Sequence, residues 1–300
     1  MVQTSRRRDF LRWLGAAGCG LGWAAARRPS LWAGELTDAT PHAAKHGWRV
    51  GASAWTFRQY SFLDMLDRLQ SLGLRYLEAM AWQPVGKEYA GLHTNEAMSE
   101  DVVKAMQQRL ADHGVKLLSC YMRELPNNEA ACRRKFDWAK EIGLEYLTGE
   151  PLPDALDLLE KLCDEYQISL AIHNHPRPHS LYWNPNALLR AVRGRSKRIG
   201  ACADTGHYLR SGLDPVACLR KLQGRLIGLH LKDLAQAGKV EAHEVPWGQG
   251  VGNIEGVLRE VQRQRARVVF DVEYEEPGDR RGEIARSLAF FDRVAARLPA

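Results

Sequence analysis

The feature that most constrains this chain is a repeat of type rather than of sequence. From Trp48 onward, short runs rich in β-branched and aromatic residues alternate eight times with amphipathic stretches. The expected strands are 48–54, 74–79, 115–121, 144–149, 168–174, 198–204, 225–231 and 267–273. Between them, apolar residues recur at helical spacing. Phe62, Leu63, Leu66 and Leu69 form one such set, and Val102, Val103, Met106 and Leu110 another. Ile254, Val257, Leu258 and Val261 follow Asn253, a residue suited to capping a helix start. Ile284, Leu288, Phe291 and Val294 close the series. Gly73, Gly114 and Gly143 each precede an expected strand, where a helix stop belongs.

Eight β–α units in about 255 residues fit a single-domain (β/α)8 TIM barrel, which takes roughly 250. A doubly wound sheet is the alternative. Such a sheet would gather its polar residues at one switch point. Here Glu78, Glu150, His173, His175, Asp204, His207, His230 and Glu273 fall at the ends of many different strands. A barrel collects catalytic residues at that face, so the barrel is the preferred reading.

The formal charge is +6, and five of those charges sit in residues 1–33. Arg6, Arg7, Arg8, Arg12, Arg27 and Arg28 there face Asp9 alone. The rest of the chain is nearly neutral at +1, which lacks the basic footprint of a nucleic-acid binder. No apolar run reaches the roughly 18 residues of a membrane span. Beyond residue 33 five cysteines remain, scattered and without a CxxC pair, which argues against a disulfide framework.

Four strand-end residues make a mixed oxygen and nitrogen set: Glu150, Asp204, His230 and Glu273. Carboxylates converging on one barrel mouth repel one another, and a divalent cation relieves that repulsion. Mn²⁺, Mg²⁺ or Co²⁺ suits such donors, with Zn²⁺ also compatible. Each of these residues, taken singly, could equally cap a helix or lie on the surface. For His173, a packed neighbour of the site is as good a reading as a ligand.

Taken in order, the His173-Asn174-His175 run, Asp204-Thr205-Gly206-His207, His230-Leu231-Lys232-Asp233, the Gly248-Gln249-Gly250 turn and Glu273 resemble the xylose isomerase-like barrel superfamily of sugar phosphate isomerases and epimerases. The resemblance covers about residues 47–298. In its ketose 3-epimerase branch, four such positions bind one divalent metal. The resemblance puts them at Glu150, Asp204, His230 and Glu273. It also implies that Glu150 and Glu273 are catalytic, one removing a proton beside a carbonyl and the other returning one from the opposite face. His207 is then expected to hydrogen-bond a substrate oxygen or serve a second metal, and His175 and Lys232 are expected substrate contacts, with Lys232 able to stabilise an oxyanion. No dedicated phosphate site is evident, so a sugar phosphate is not implied as substrate.

Aromatic residues in the expected loops, Trp55, Trp82, Tyr89, Trp183 and Trp247, offer rings for stacking on sugars or for packing; Trp55 and Trp183 are taken as substrate contacts. The segment 80–99 is the longest loop and a candidate lid. Glu78 ends the second strand without an implied ligand role. Asp271 lies deeper than Glu273 on the same face, and Glu275 is expected past the strand.

Ser5 through Arg12 resembles a twin-arginine export signal, with Arg7-Arg8 followed by Phe10 and Leu11. Arg6 holds the position where that pattern has Ser or Thr. The implied organisation is a signal over 1–33, a linker over 34–46 and the barrel over 47–300, with a periplasmic or otherwise exported destination. An uncharged carbohydrate is then the expected partner, with no nucleic acid, no stable membrane anchor after signal removal, and oligomeric state open, a homo-oligomer included. The leading function is a metal-dependent sugar isomerase or epimerase. Lyase or dehydratase chemistry by β-elimination on 3-keto-glycosides or keto-polyols uses the same proton abstraction. A non-catalytic sugar-binding barrel is the remaining reading. Apurinic endonucleases share this barrel, but the second and third strands end without the histidines of their zinc cluster.

Overall fold

A computed structural model describes residues 38–299; the signal expected over 1–33 lies outside the described residues. Eight strands form the barrel: β1 (Arg49–Ser53), β2 (Tyr76–Met80), β3 (Lys116–Tyr121), β4 (Tyr146–Gly149), β5 (Ser169–His173), β6 (Ile199–Asp204), β7 (Leu226–Leu231) and β8 (Val269–Val272). Every neighbouring pair is parallel, and β8 pairs with β1 to close the ring. Each strand lies within two residues of its sequence expectation. The register sets Asp204 beside His230 and His230 beside Asp271.

Nine α-helices lie among the described residues: α1 (Phe62–Ser71), α2 (Glu100–Asp112), α3 (Glu129–Ile142), α4 (Leu156–Tyr166), α5 (Pro185–Ala191), α6 (Thr205–Arg210), α7 (Pro215–Lys221), α8 (Ile254–Arg263) and α9 (Arg281–Arg297). Their starts are locally specified. Ser61, Asn128 and Asn253 each accept a backbone N–H of the first turn, satisfying a donor the helix cannot. Gly143 ends α3 in the left-handed region at φ 89°, as its place in the sequence required.

The core has two layers. Helix faces pack on the outside of the strands through residues such as Leu66, Met106, Phe136, Leu159, Val257 and Phe291. A smaller cluster joins Leu118, Tyr146, Ala171, Cys202 and Val269 from β3, β4, β5, β6 and β8. Strands so far apart around the ring meet only inside it, so this cluster plugs the barrel beneath its C-terminal mouth. All five described cysteines are free and buried.

Three connecting segments bear on the site. The candidate lid is anchored: Pro84 bridges His93, while Phe62 and Leu63 donate to the carbonyls of Pro84 and Val85 at 2.8 and 3.0 Å. These bonds tie its first half to the start of α1. The Gly248–Gly252 turn wraps the Asp233 carboxylate, which accepts the N–H groups of Gly248, Gly250 and Gly252 at 2.8, 3.0 and 2.8 Å. A Cβ on Gly250 would collide with the Leu234 carbonyl and the Asp233 carboxylate, so this glycine run is a structural nest. The described part of the expected linker packs on α9: Ala43 is buried, and His42 bonds Asp292 through both its backbone N–H and its ring.

Candidate active site

Four buried side chains converge at the C-terminal mouth: His173 ends β5, Asp204 ends β6, His230 lies near the end of β7, and Glu273 follows β8. Their ligating atoms all lie within 4.8 Å of one another. Asp204 reaches this point with one oxygen committed elsewhere: Oδ1 caps α6 by accepting the His207 N–H at 2.8 Å. Glu273 likewise gives Oε1 to the Ser53 hydroxyl at 3.2 Å. That leaves His173 Nε2, Asp204 Oδ2, His230 Nδ1 and Glu273 Oε2 pointing at a common centre, each buried and none engaged in a hydrogen bond. They are close without being aligned as donors and acceptors: His230 Nδ1 is 2.9 Å from Glu273 Oε2, and His173 Nε2 is 3.5 Å from Asp204 Oδ2. Buried polar atoms are rarely left so. Two imidazole nitrogens without a hydrogen bond, and two carboxylate oxygens met otherwise by the Lys232 ammonium at 2.8 and 2.7 Å, make a donor set that fits a divalent cation.

The remote nitrogen of each histidine meets a carboxylate. His230 Nε2 lies 2.6 Å from Glu78 Oε2 on β2, and His173 Nδ1 lies 3.4 Å from Glu150 Oε1. Metal-ligating histidines characteristically have such outer partners.

The carboxylates of the site are balanced by Lys232. Its fully buried ammonium sits 2.8 Å from Asp204 Oδ2, 2.7 Å from Glu273 Oε2 and 2.8 Å from Glu275 Oε1. Burial works against the Glu273 carboxylate, but His230 and Lys232 outweigh it and hold the group well below the usual range. Burial drives His207 down to about 4, so its imidazole is neutral at neutral pH. Arg210 donates to His207 Nδ1 at 3.2 Å, and Nε2 faces Glu275 Oε1 at 3.3 Å. Burial beside Glu78 pushes Asp271 up to about 8.

Above the quartet opens a cavity of about 480 Å³, lined by Trp55, Met80, Trp82, Tyr121, Arg123, His173, His175, His207, Glu273 and Glu275. Trp55, Trp82 and Tyr121 form a continuous aromatic wall, with successive ring centroids 6.3 and 5.8 Å apart at steep angles. Tyr121 extends the wall to His173 at 5.3 Å.

Asp204, His230 and Glu273 thus meet as the sequence led one to expect, and Trp55, His175 and His207 line the cavity. Other residues sit elsewhere. Glu150 stands beside the quartet, grouped with His173 and His175, and His173 occupies the fourth corner. Lys232 is fully buried beside the quartet and does not line the cavity. Trp183 lines a separate recess with Arg190, Asp214 and Lys221, away from the quartet. Trp247 is buried, its indole N–H donating to the Leu231 carbonyl at 3.0 Å. Tyr121, Arg123 and Glu275 line the cavity although the sequence reading assigned them no part in it. Strand-end position was the available signal for Tyr121, which ends β3.

The sequence matches the profile of the xylose isomerase-like TIM barrel family over residues 66–294. The chain belongs to this family. Among solved xylose isomerase-like folds, an uncharacterised protein from Parabacteroides distasonis is 31% identical, with a TM-score of 0.67 over 82% of this chain and 99% of that one. A D-tagatose 3-epimerase-like protein is 17% identical, with a TM-score of 0.66 over 83% and 97% of the two chains. A xylose isomerase-like TIM barrel protein from Mycobacterium smegmatis, solved in complex with magnesium, is 15% identical, with a TM-score of 0.66 over 86% and 98%. No curated protein matches the chain. Among the described residues no helix is long and apolar enough to cross a membrane.

Proposed function

We propose that the protein is a divalent-cation-dependent isomerase or epimerase that moves a proton on the carbon beside the carbonyl of a small carbohydrate. One observation carries this reading: the ligand atoms of four buried side chains, two imidazoles and two carboxylates, converge within 4.8 Å of one another beneath an aromatic-walled cavity. His173, Asp204, His230 and Glu273 would hold the cation. A cation bound there supplies Lewis acidity toward a carbonyl oxygen and so acidifies the neighbouring C–H. With two nitrogens in the set, Zn²⁺, Co²⁺ and Mn²⁺ suit it better than Mg²⁺.

The chain's own groups supply the rest. Glu273 both belongs to the quartet and lines the cavity, which places a proton acceptor against the substrate. Neutral His207 lines the same cavity with Nε2 3.3 Å from Glu275 Oε1, so it holds that cavity carboxylate in place. Trp55, Trp82 and Tyr121 offer faces and edges for the apolar side of a sugar ring. The D-tagatose 3-epimerase-like neighbour and the magnesium-bound neighbour are in keeping with this reading. Export through the Arg7-Arg8 signal pattern is part of the proposal and favours an uncharged carbohydrate.

Elimination from a glycoside is favoured by a different feature. A second recess of about 490 Å³, lined by Leu125, Pro126, Pro151 and Leu152 among others, shares Arg123 with the main cavity. It would admit the aglycone of a 3-keto-glycoside. The test incubates manganese-loaded protein with free ketohexoses in D₂O and follows them by NMR. Deuterium enters the carbon beside the carbonyl, and Glu273→Gln abolishes that exchange. No exchange into any free ketose, together with aglycone release from a 3-keto-glycoside, would replace isomerisation by elimination.

A further inference from the structure

Glu150 accepts four hydrogen bonds beside the site, and its partners say what it does. Oε1 receives the Tyr121 hydroxyl at 3.4 Å, His173 Nδ1 at 3.4 Å and, in a short contact, His175 Nδ1. Oε2 receives the Ser180 hydroxyl in a second short contact. Four donors from three segments of chain hold it: Tyr121 at the end of β3, His173 at the end of β5, and His175 and Ser180 from the following loop. Both its oxygens are engaged, and Glu150 groups with His173 and His175 rather than with the quartet.

We infer that Glu150 is a positioning residue that fixes two neighbouring imidazoles in the same tautomer, so that His173 offers Nε2 to the cation quartet and His175 offers Nε2 to the cavity. An ionised carboxylate only accepts hydrogen bonds, so both Nδ1 atoms facing it must carry protons. Each neutral ring then keeps its lone pair on Nε2, the form that can ligate a cation. For His173 that atom is the unpaired one 3.5 Å from Asp204 Oδ2. For His175 the ring lies 4.7 Å from His173, centroid to centroid, half-exposed in the cavity wall. Glu78 completes the pattern from the other side. It faces Nε2 of His230 and leaves Nδ1 for the quartet, so the two ligating histidines present opposite ring nitrogens to one centre. The arrangement assigns Glu150 the outer place and His173 the inner one.

This inference rests on the cation-site reading, and its test separates the two. Nitrogen NMR of the cation-free protein, with histidines labelled, reports the tautomers directly. Nδ1–H forms are expected for His173 and His175 in the wild type. They give way to mixed tautomers in Glu150→Ala and persist in part in Glu150→Gln, whose amide oxygen still accepts. Calorimetry with Mn²⁺ and Zn²⁺ gives the second readout. Outer carboxylates typically contribute 10–100-fold to metal affinity, so Glu150→Ala should lose about that much while still binding one ion, with Glu150→Gln in between. Unchanged tautomers in Glu150→Ala would overturn the inference, as would Gln and Ala variants that both lose binding altogether, the behaviour of a direct ligand. A wild-type protein that binds neither ion would end the cation-site reading, and the tautomer result would still decide the role of Glu150.

Discussion

Glu78 Oε2 and His230 Nε2 lie 2.6 Å apart across the barrel interior, joining residues 152 positions apart in the chain. Both are completely buried, and Ser119 on β3 steadies the other Glu78 oxygen at 3.3 Å. The contact sets which nitrogen of His230 faces the quartet. Removing the acceptor in Glu78→Ala strands a buried imidazole N–H, at a cost of about 1–3 kcal/mol. Urea unfolding of the cation-free protein should show that loss, and Glu78→Gln, which keeps an acceptor, should show less. Equal stability of the Ala variant and the wild type would contradict the contact.

Cation binding should stabilise the fold, because the four ligands come from β5, β6, β7 and the end of β8 and meet only when the barrel is closed. At a free cation concentration 100-fold above Kd the gain is about 2.7 kcal/mol. A melting curve should therefore rise by several degrees on adding Mn²⁺ or Zn²⁺ and fall back with EDTA. Asp204→Asn should remove the rise. A cation-induced shift that survives in that variant would place binding elsewhere.

The opposite end of the barrel should behave differently. Arg49 on β1 and Lys116 on β3 each reach the Glu145 carboxylate at 2.7 Å, just before β4. Burial opposes ionisation of Glu145, but the two cations outweigh it and lower its pKa below the ordinary 4.5. A depressed carboxylate stabilises the fold above its unfolded pKa, and that contribution fades as pH falls through the folded value. The group is half-exposed, so Glu145→Gln should cost no more than about 1 kcal/mol at pH 7. Melting curves of the two proteins should converge below pH 4.5, with cation affinity at pH 7 unchanged. A gap that widens in acid would reverse the assignment.

The Asp233 nest makes a third kind of prediction. Gly250→Ala should destabilise by about 1–3 kcal/mol through overpacking against the Leu234 carbonyl and the Asp233 carboxylate. Chemical unfolding measures this. Full stability in the variant would mean the turn has room the structure does not show.

Much of this architecture is legible in the sequence, and the departures have physical causes. The strands read as apolar runs because a barrel buries both of their faces, and the glycine stops read because only glycine relaxes at φ near 89° after α3. Asp204, His230 and Glu273 are visible as polar residues breaking apolar strands at one end. Choosing between Glu150 and His173 was beyond that logic. Both end strands, and a carboxylate is a natural ligand. Its direction is set by His175 and Ser180, 25 and 30 residues away in a loop whose path the periodicity does not encode. The resemblance makes Lys232 a substrate contact, yet three carboxylates hold its ammonium buried beside the site. Trp183 sits in a loop as expected, but beside α5, where it turns to a different recess. Glu78 carries no local mark of its role, since its partner lies on the far side of the ring.

The central claim is that His173, Asp204, His230 and Glu273 form one cation centre with Glu150 outside it. An anomalous difference map from crystals grown with Zn²⁺ tests it most directly. The account predicts a single strong peak at the mouth, about 2.0–2.2 Å from His173 Nε2, Asp204 Oδ2, His230 Nδ1 and Glu273 Oε2. A peak bonded to Glu150 in place of His173, or no peak among these four residues, would contradict it.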